Sequence, residues 1–349
     1  MTQPFRHGGQ KYPKGTLRLK SHLFHNIQTF IRLLNGLAEW RRALLNREGS
    51  SLNAGGILAE AVGVPLVVRP EAKIPLIIPS VDWWMTSHCN LACDFCFGPR
   101  PGRDPVELRG DILQALVASS ARAVTFCGGE PLLIRRVGQY AAALRRSGKS
   151  IVLNTNGQLL RRRLDQGLRL TDFDVVGISI DGPTAEIHRA MRGNKADFDE
   201  AFKAARMVKY TSGVKLKFAT VVSAVNRDGL PAMARIIHRL RPEVWRLYQY
   251  SSRGDQNFGQ RRHCLPDHEF QLLAKEAANL AAPVLTAPST EAETEGCLIV
   301  DPSGNVLQPT GTSYLRLGNC LEEPLDQIWA KAPMQSKVID NKLWLSVLS

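Results

Sequence analysis

Cys89-Asn-Leu-Ala-Cys93-Asp-Phe-Cys96 is the stretch on which the reading of this chain turns. Its three cysteines fall within eight residues, spaced by three and then two. Thiolates so close can hold three irons of a [4Fe–4S] cube and leave the fourth iron without a protein ligand. An iron with an open position can bind a substrate or cofactor, whereas a pure electron-transfer cluster normally has four cysteines. A zinc knuckle would need a further Cys or His at finger spacing, and the adjacent His88 has no matching partner pair. A disulfide framework fits poorly with seven cysteines and a start, Met1-Thr-Gln-Pro-Phe-Arg, that does not read as a signal peptide.

A second motif follows just downstream. Gly128-Gly129-Glu130-Pro131 comes directly after an apolar run, Ala123-Val-Thr-Phe. Glycines let a backbone come close to a ligand, and a carboxylate accepts hydrogen bonds from an ammonium group. Alone, the segment could be a strand-to-helix turn with Pro in the first helical turn. Asn154-Thr-Asn156-Gly157 and Ser179-Ile-Asp181-Gly182 end two further apolar runs, and His188, Arg189 and Arg192-Gly193 follow. A guanidinium can take a carboxylate with two parallel bonds.

The cysteine loop, with an aromatic residue before its third cysteine, and the Gly-Gly-Glu-Pro turn together resemble the radical S-adenosylmethionine (radical SAM) superfamily. That resemblance covers residues 81–330 and rests chiefly on these two motifs. It implies a [4Fe–4S] cluster on Cys89, Cys93 and Cys96, with S-adenosylmethionine chelated at the open iron. It implies that Gly128, Gly129, Glu130 and Pro131 bind the methionine amino group. Ser179 and Asp181 would approach the ribose and carboxylate, and Arg192 rather than Arg189 would bind the methionine carboxylate. Phe95 and Thr220-Val-Val222 would meet the adenine through backbone contacts. Asn156 is a further cofactor candidate, an ordinary Asn-Gly turn being the plain alternative. Ordinary packing is the alternative for Phe95. An electron donor such as flavodoxin or ferredoxin is implied as a partner.

Periodicity agrees with the fold that the resemblance implies, a partial (βα)6 barrel of class α/β. Strands are expected at 81–86, 123–126, 150–154, 175–180, 214–222 and 244–250. Helices are expected at 107–119, 132–147, 159–168, 198–209 and 230–240. Strands alternating with helices give a parallel sheet with right-handed crossovers, and ligands bind at the carboxyl ends of such strands. Every motif above falls there. The expected division is a mostly helical extension over 1–80, the barrel core over 81–250, and a small α+β capping region over 251–349. In the first part, a helix is expected at 21–46 and a short one from Gly55-Gly56.

The last hundred residues depart from the family pattern. Cys297, Asp301-Pro-Ser-Gly-Asn-Val-Leu-Gln-Pro309, Leu317-Gly-Asn319 and Leu325-Asp-Gln-Ile-Trp329 are similar to the SPASM/twitch auxiliary-cluster extension of radical maturases. There a cysteine normally follows the proline; here Thr310 stands in its place. A degenerate extension is expected, a hairpin turning at 302–305 and a closing helix at 325–330, packed without metal. A cluster that also uses Cys264 is the alternative. Cys264 and Cys297 are candidate hydrogen-atom donors, small buried hydrophobes being the plain reading. The region 253–263 reads as a loop, 267–280 as a helix and 287–295 as an acidic linker.

Composition narrows the partners. Charged residues are 22% and apolar ones 44%, which is globular, and no apolar run is long enough to span a bilayer. A net charge of +13 permits nucleic-acid binding, but no basic–aromatic interleaving or binding motif accompanies it, so a basic surface is the reading. The expected protein is a cytoplasmic radical SAM enzyme that makes a 5′-deoxyadenosyl radical and abstracts hydrogen from a small metabolite or a peptide. A viperin-like nucleotide dehydratase, suggested by Trp245-Arg-Leu-Tyr-Gln249 with Phe270, is one alternative. A non-catalytic iron–sulfur or zinc module is the other.

Overall fold

The computed structural model describes residues 77–99, 102, 104–253, 257, 259–290 and 298–333, all within one compact unit, Lys73–Ser349. The helices expected at 21–46 and after Gly55, and Cys297, lie outside the described residues. Six parallel strands follow in order: β1 (Ser80–Trp84), β2 (Ala123–Cys127), β3 (Ser150–Thr155), β4 (Val175–Ser179), β5 (Lys215–Val222) and β6 (Val244–Gln249). Four short strands complete the sheet: β7 (Leu285–Ser289), β8 (Ile299–Val300), β9 (Asn305–Thr310) and β10 (Ser313–Asn319). The order across the single sheet is β10-β9-β8-β1-β2-β3-β4-β5-β6-β7. Strands covered on both faces need near-continuous apolar runs, and Ala-Val-Thr-Phe in β2 and Val-Val-Gly-Ile in β4 are buried throughout.

Helices α1 (Arg109–Ala118), α2 (Val137–Arg146), α3 (Leu160–Asp165), α4 (Ala185–Arg192), α5 (Phe198–Lys209) and α6 (Leu230–Leu240) connect the strands. Their starts are written locally. The Asp197 side chain accepts from Glu200 N–H and caps α5, and Thr184 accepts from Ile187 N–H at α4. α6 is stopped by Arg241, in the left-handed region at φ 50°. Further on lie α7 (Asp267–Ala281) and α8 (Leu325–Ala330). Outside the strands, Trp83, Phe126 and Phe173 meet edge to face.

Three elements differ from the sequence expectation. The helix α4 was read only as a chemical motif. The stretch 287–295, expected as a linker, begins inside β7, which pairs in parallel with β6. Leu-Thr-Ala-Pro-Ser is too short and too Pro-marked to read as a strand, and only the sheet edge lets its proline stand there. The expected helix 132–147 is a short 3₁₀ turn, Pro131–Leu133, followed by α2. The expected hairpin is present, with β8 antiparallel to β9 and Asp301 bracing the turn. It is joined by β10 and attached to the barrel through β8, which runs parallel to β1. Leu298, Val300, Val306, Leu325, Ile328 and Trp329 are buried, and Leu307 is half-buried.

Candidate functional site

The three cysteines line one cavity at the carboxyl ends of the strands, with Gly128, Gly129, Glu130, Asn156, Ser179, Arg192 and Phe95. Asp104 organises the approach to it. Its carboxylate takes hydrogen bonds from the Thr86 hydroxyl, from Ser87 N–H at 3.0 Å and from Ser87 Oγ at 2.7 Å, and it meets Arg109 at 3.4 Å. Burial works against the Asp104 charge, but the hydrogen bonds from Thr86, Ser87 and His88 hold its pKa below the usual range. Sequence reasoning missed Asp104, which stands among Pro, Gly and Arg with no pattern to mark it.

Among the described residues no group of three or more His, Cys, Asp or Glu converges on a single metal-ion position. A cube asks for something else, one sulfur for each of three irons. The loop is already shaped around sulfur. Leu91 N–H points to Cys89 Sγ and Gly98 N–H to Cys96 Sγ, each at 3.4 Å, and Asn156 Nδ2 lies 3.9 Å from Cys89 Sγ. Burial pushes all three thiols up, Cys93 to about 12, with Arg192 acting in the opposite direction. Bound iron would supply the positive charge that such thiolates need, so the donor set fits a cluster.

The Gly-Gly pair borders the cavity and also shapes the loop. A Cβ on Gly129 would stand 1.9 Å from His88 O, and one on Gly128 (φ +110°) would stand 2.7 Å from Thr86 O. Their lack of side chains lets the turn after β2 press on the backbone before Cys89, with Gly129 N–H to Thr86 O at 2.7 Å and Glu130 N–H to His88 O at 2.8 Å. Glu130, 1% exposed, accepts from Leu132 N–H (3.0 Å), Thr155 Oγ1 (2.7 Å) and Asn156 N–H (2.9 Å). A carboxylate offers about four lone-pair directions, so these bonds leave room for one more donor from the cavity. Pro131 is buried in the first turn of the 3₁₀ segment and does not border the cavity.

Arg192 is half-buried, its side chain 11% exposed, and Arg189 is exposed. The Arg192 Nε lies 2.6 Å from Asp181 Oδ2, and its guanidinium covers the Phe95 ring at 5.5 Å. Asp181 is therefore committed behind Arg192 and to Val221 N–H, at 2.8 Å, and does not border either cavity described here. His188 Nδ1 accepts from Asp181 N–H at 3.2 Å; burial and then the Arg192 charge push its pKa down to about 3, so the ring is neutral. Val222 is buried beside the site, while Thr220 and Val221 border an adjoining cavity. Phe95 O accepts from Asn257 Nδ2 at 2.8 Å, and His263 meets Asp94 at 3.0 Å, so the segment after β6 braces the cysteine loop.

A second cavity runs into the barrel and shares Phe95, Cys96, Gly98, Cys127, Gly128, Asn154, Ser179 and Arg192 with the first. Ile299 and Pro309 close one side of it, and the Tyr314 hydroxyl donates to Phe97 O at 2.7 Å. Cys264 is exposed and borders neither cavity, which removes the geometric ground for it as a hydrogen donor. Cys127, which the sequence reading passed over, borders both. Cys320 is buried, its thiol pushed up to about 12 by burial. Trp245 and Phe270 are buried in the hydrophobic core, while Arg246, Tyr248 and Gln249 of the same stretch border the second cavity. No helix among the described residues is long and apolar enough to cross a membrane.

The family profile described as the Radical SAM superfamily matches residues 85–235. An AdoMet-dependent heme synthase of Nitratidesulfovibrio vulgaris is 22% identical over 72% of this chain and 78% of its own length. The mycofactocin maturase MftC of Mycolicibacterium smegmatis is 30% identical over 47% of this chain and 46% of its own. Among solved structures, Streptococcus suis SuiB bound to S-adenosylmethionine superposes with a TM-score of 0.59 at 15% identity, over 90% of this chain and 79% of SuiB.

Proposed function

The chain carries a radical SAM domain and is an enzyme whose cofactors are a [4Fe–4S] cluster and S-adenosylmethionine, and from that premise we propose how its own residues divide the work. Cys89, Cys93 and Cys96 would hold three irons, and Glu130, Arg192, Ser179 and Phe95 would receive S-adenosylmethionine. When bound and reduced by one electron, the cluster would supply the reductive cleavage of the sulfonium that yields methionine and a hydrogen-abstracting 5′-deoxyadenosyl radical. A one-electron donor such as flavodoxin or ferredoxin is required.

The observation that carries the reading is the shared cavity wall. The cysteine pocket bears Glu130 and Arg192, an acceptor for an ammonium and a cation for a carboxylate, which suits the two ends of an amino acid. Glu130 adds the ammonium to the three donors it already takes. Arg192 is aimed by Asp181 and by the Phe95 face. Phe95 and Val221 flank the adenine, and Ser179 offers a hydroxyl to the ribose. The second cavity receives the substrate, with Ile299, Pro309 and the Tyr314 contact excluding water from the reacting atoms.

The reacting part of the substrate is small, a metabolite or one side chain of a peptide, because the cavity ends in the closed floor of the barrel. The heme synthase and maturase relatives and the SuiB complex with its precursor peptide SuiA support both substrate sizes. The C-terminal strands act as a cap held by packing, a degenerate auxiliary-cluster extension without metal of its own.

Anaerobic reconstitution tests the assignment. The intact chain should bind about four irons and four sulfides, and with dithionite it should form 5′-deoxyadenosine and methionine. The triple Cys89→Ala, Cys93→Ala, Cys96→Ala variant should do neither. A triple variant that retains four irons overturns the ligand assignment, and about eight irons in the intact chain overturns the metal-free cap.

A further inference from the structure

The inside of the barrel is layered. Val152, Val175 and Val244 form a separate apolar cluster with Ala287 packed against it, from β3, β4, β6 and β7. Side chains alternate along a strand, so Asn154, Gly177 and Arg246, two positions on, face the same side one layer nearer the carboxyl ends. The register adds neighbours to this layer, since Asp82 pairs with Thr125 and Gly177 pairs with Asn154 and Lys217. Asp82, Thr125, Asn154, Lys217 and Arg246 all border the second cavity, and none of the charged ones borders the cysteine pocket.

A polar layer over an apolar floor needs a reason. Lys217 is 1% exposed and Arg246 4%, and burying such charges is costly unless a partner uses them. The sequence has made room for them. A Cβ on Gly177 would stand 2.4 Å from Lys217 Cε and 2.6 Å from Asn154 Oδ1. The Arg246 guanidinium lies over the Tyr248 ring, 4.9 Å from its centre, which fixes its plane. The Thr125 hydroxyl, on a residue 2% exposed, and Asn154 Oδ1 are buried with no hydrogen-bond partner among the described residues. Buried polar atoms left so are normally met by a ligand or a water.

We propose that this layer is a carboxylate-binding subsite that takes the acidic end of the substrate, an inference that rests on the cavity being the substrate chamber. Lys217 and Arg246 hold the anion, and Thr125 and Asn154 offer hydrogen bonds beside it. Among the described residues of the layer, two cations stand with the one carboxylate of Asp82, an arrangement that suits a monoanion better than a phosphate dianion. Lys217 and Arg246 already take part in contacts with their neighbours, so the incoming group exchanges partners with them. The substrate thus enters acid first and leaves its other carbons toward Cys127 and the cysteine pocket. A free organic acid and an acidic peptide side chain present the same group.

The test uses perdeuterated hexanoate, hexanol and hexyl phosphate, and a tripeptide whose glutamate side chain is deuterated. The dithionite-reduced holoenzyme is given each with S-adenosylmethionine, and the fraction of 5′-deoxyadenosine carrying deuterium is read by mass spectrometry. The acid should label at least about tenfold more than the alcohol, since one charge-assisted contact is worth that much. Lys217→Met and Gly177→Ala should lower the acid's labelling at least about tenfold, and Arg246→Lys, which keeps the charge and loses the fork, several-fold. More label from the peptide than from hexanoate identifies an acidic side chain as the source, and the reverse a free acid. A second readout needs no cofactor. The full chain should broaden the ¹⁹F line of a trifluoromethyl-ended hexanoate, and Lys217→Met and Arg246→Lys should broaden it less. Equal labelling by acid and alcohol, stronger labelling by the phosphate, or equal ¹⁹F broadening in the variants overturns the subsite. A wild type that makes no deoxyadenosine yet broadens the line overturns the functional reading and leaves the subsite standing.

Discussion

Gly129→Ala separates the structural role of the Gly-Gly turn from a ligand-binding one. The new Cβ would stand 1.9 Å from His88 O, where real contacts begin near 3.0 Å, so backbone must move by roughly 1 Å in an interior that is close-packed. Neither side of the contact is a flexible side-chain end. Two hydrogen bonds run across it, Gly129 N–H to Thr86 O and Glu130 N–H to His88 O, and their loss costs about 1–3 kcal/mol. Against a total stability of about 5–15 kcal/mol, the chain stays folded. Its melting temperature should fall by about 3–10 °C. His88 precedes Cys89, so the displaced carbonyl carries the first cysteine with it, and iron content after anaerobic reconstitution should fall well below that of the wild type. Gly110→Ala is the control: nothing lies within 4 Å of its Cβ, and in α1 alanine should be neutral or stabilising by up to about 1 kcal/mol. A Gly129→Ala protein with wild-type melting and full iron would refute the reasoning.

Two further outcomes follow from buried groups in the same site. Glu130→Ala strands the Leu132 and Asn156 N–H groups and the Thr155 hydroxyl, so urea unfolding should show a loss of at least about 3 kcal/mol; wild-type stability would contradict the bonding described, whatever happens to cofactor affinity. His188 is held neutral with a pKa of about 3 against 6.5, so the unfolded chain takes up a proton that the folded one refuses, and stability should be full above pH 6.5 and fall as pH drops toward 3. His188→Gln should remove up to one proton's slope, about 1.4 kcal/mol per pH unit, from that limb of the curve, and an unchanged slope would show that the ring is not held neutral.

The barrel was legible because its strands are fully buried and its helices amphipathic, so α5 and α6 fall where periodicity puts them, at Phe198–Lys209 and Leu230–Leu240. The edge strands were not legible. β7 carries Pro288, and β8 is two residues long; each exists because a neighbour offers a ladder to pair with, a tertiary fact that no local pattern records. The cysteine loop and the Gly-Gly-Glu-Pro turn were readable as motifs, because their chemistry depends on spacing along the chain. Asp104, Asn257 and Cys127 depend on spacing across it. The polar layer of Asp82, Lys217 and Arg246 was hidden for another reason: a charged residue inside a strand reads as a solvent-facing position unless the strand is known to border a cavity.

The hydrogen bonds around the cysteines close a ring. The loop after β1 bonds through Thr86 and His88 to the Gly129-Glu130 turn after β2. Glu130 bonds to Thr155 and Asn156 at the end of β3, and Asn156 Nδ2 returns to the loop at Asn90 Oδ1, 2.8 Å away. Three successive strand ends are therefore one mechanical unit, with a carboxylate at its centre. Glu130 cannot be moved to suit a ligand without moving Cys89, and Cys89 cannot be drawn onto an iron without loading the bonds to Glu130. A donor bound to Glu130 would thereby be held in a fixed relation to the cysteine loop. Preorganisation of this kind gives orientation without an ordering cost when the cofactor arrives. It also explains why the turn after β2 carries two glycines, since contact between the turn and the loop closes the ring, and a side chain on Gly129 would hold the two apart.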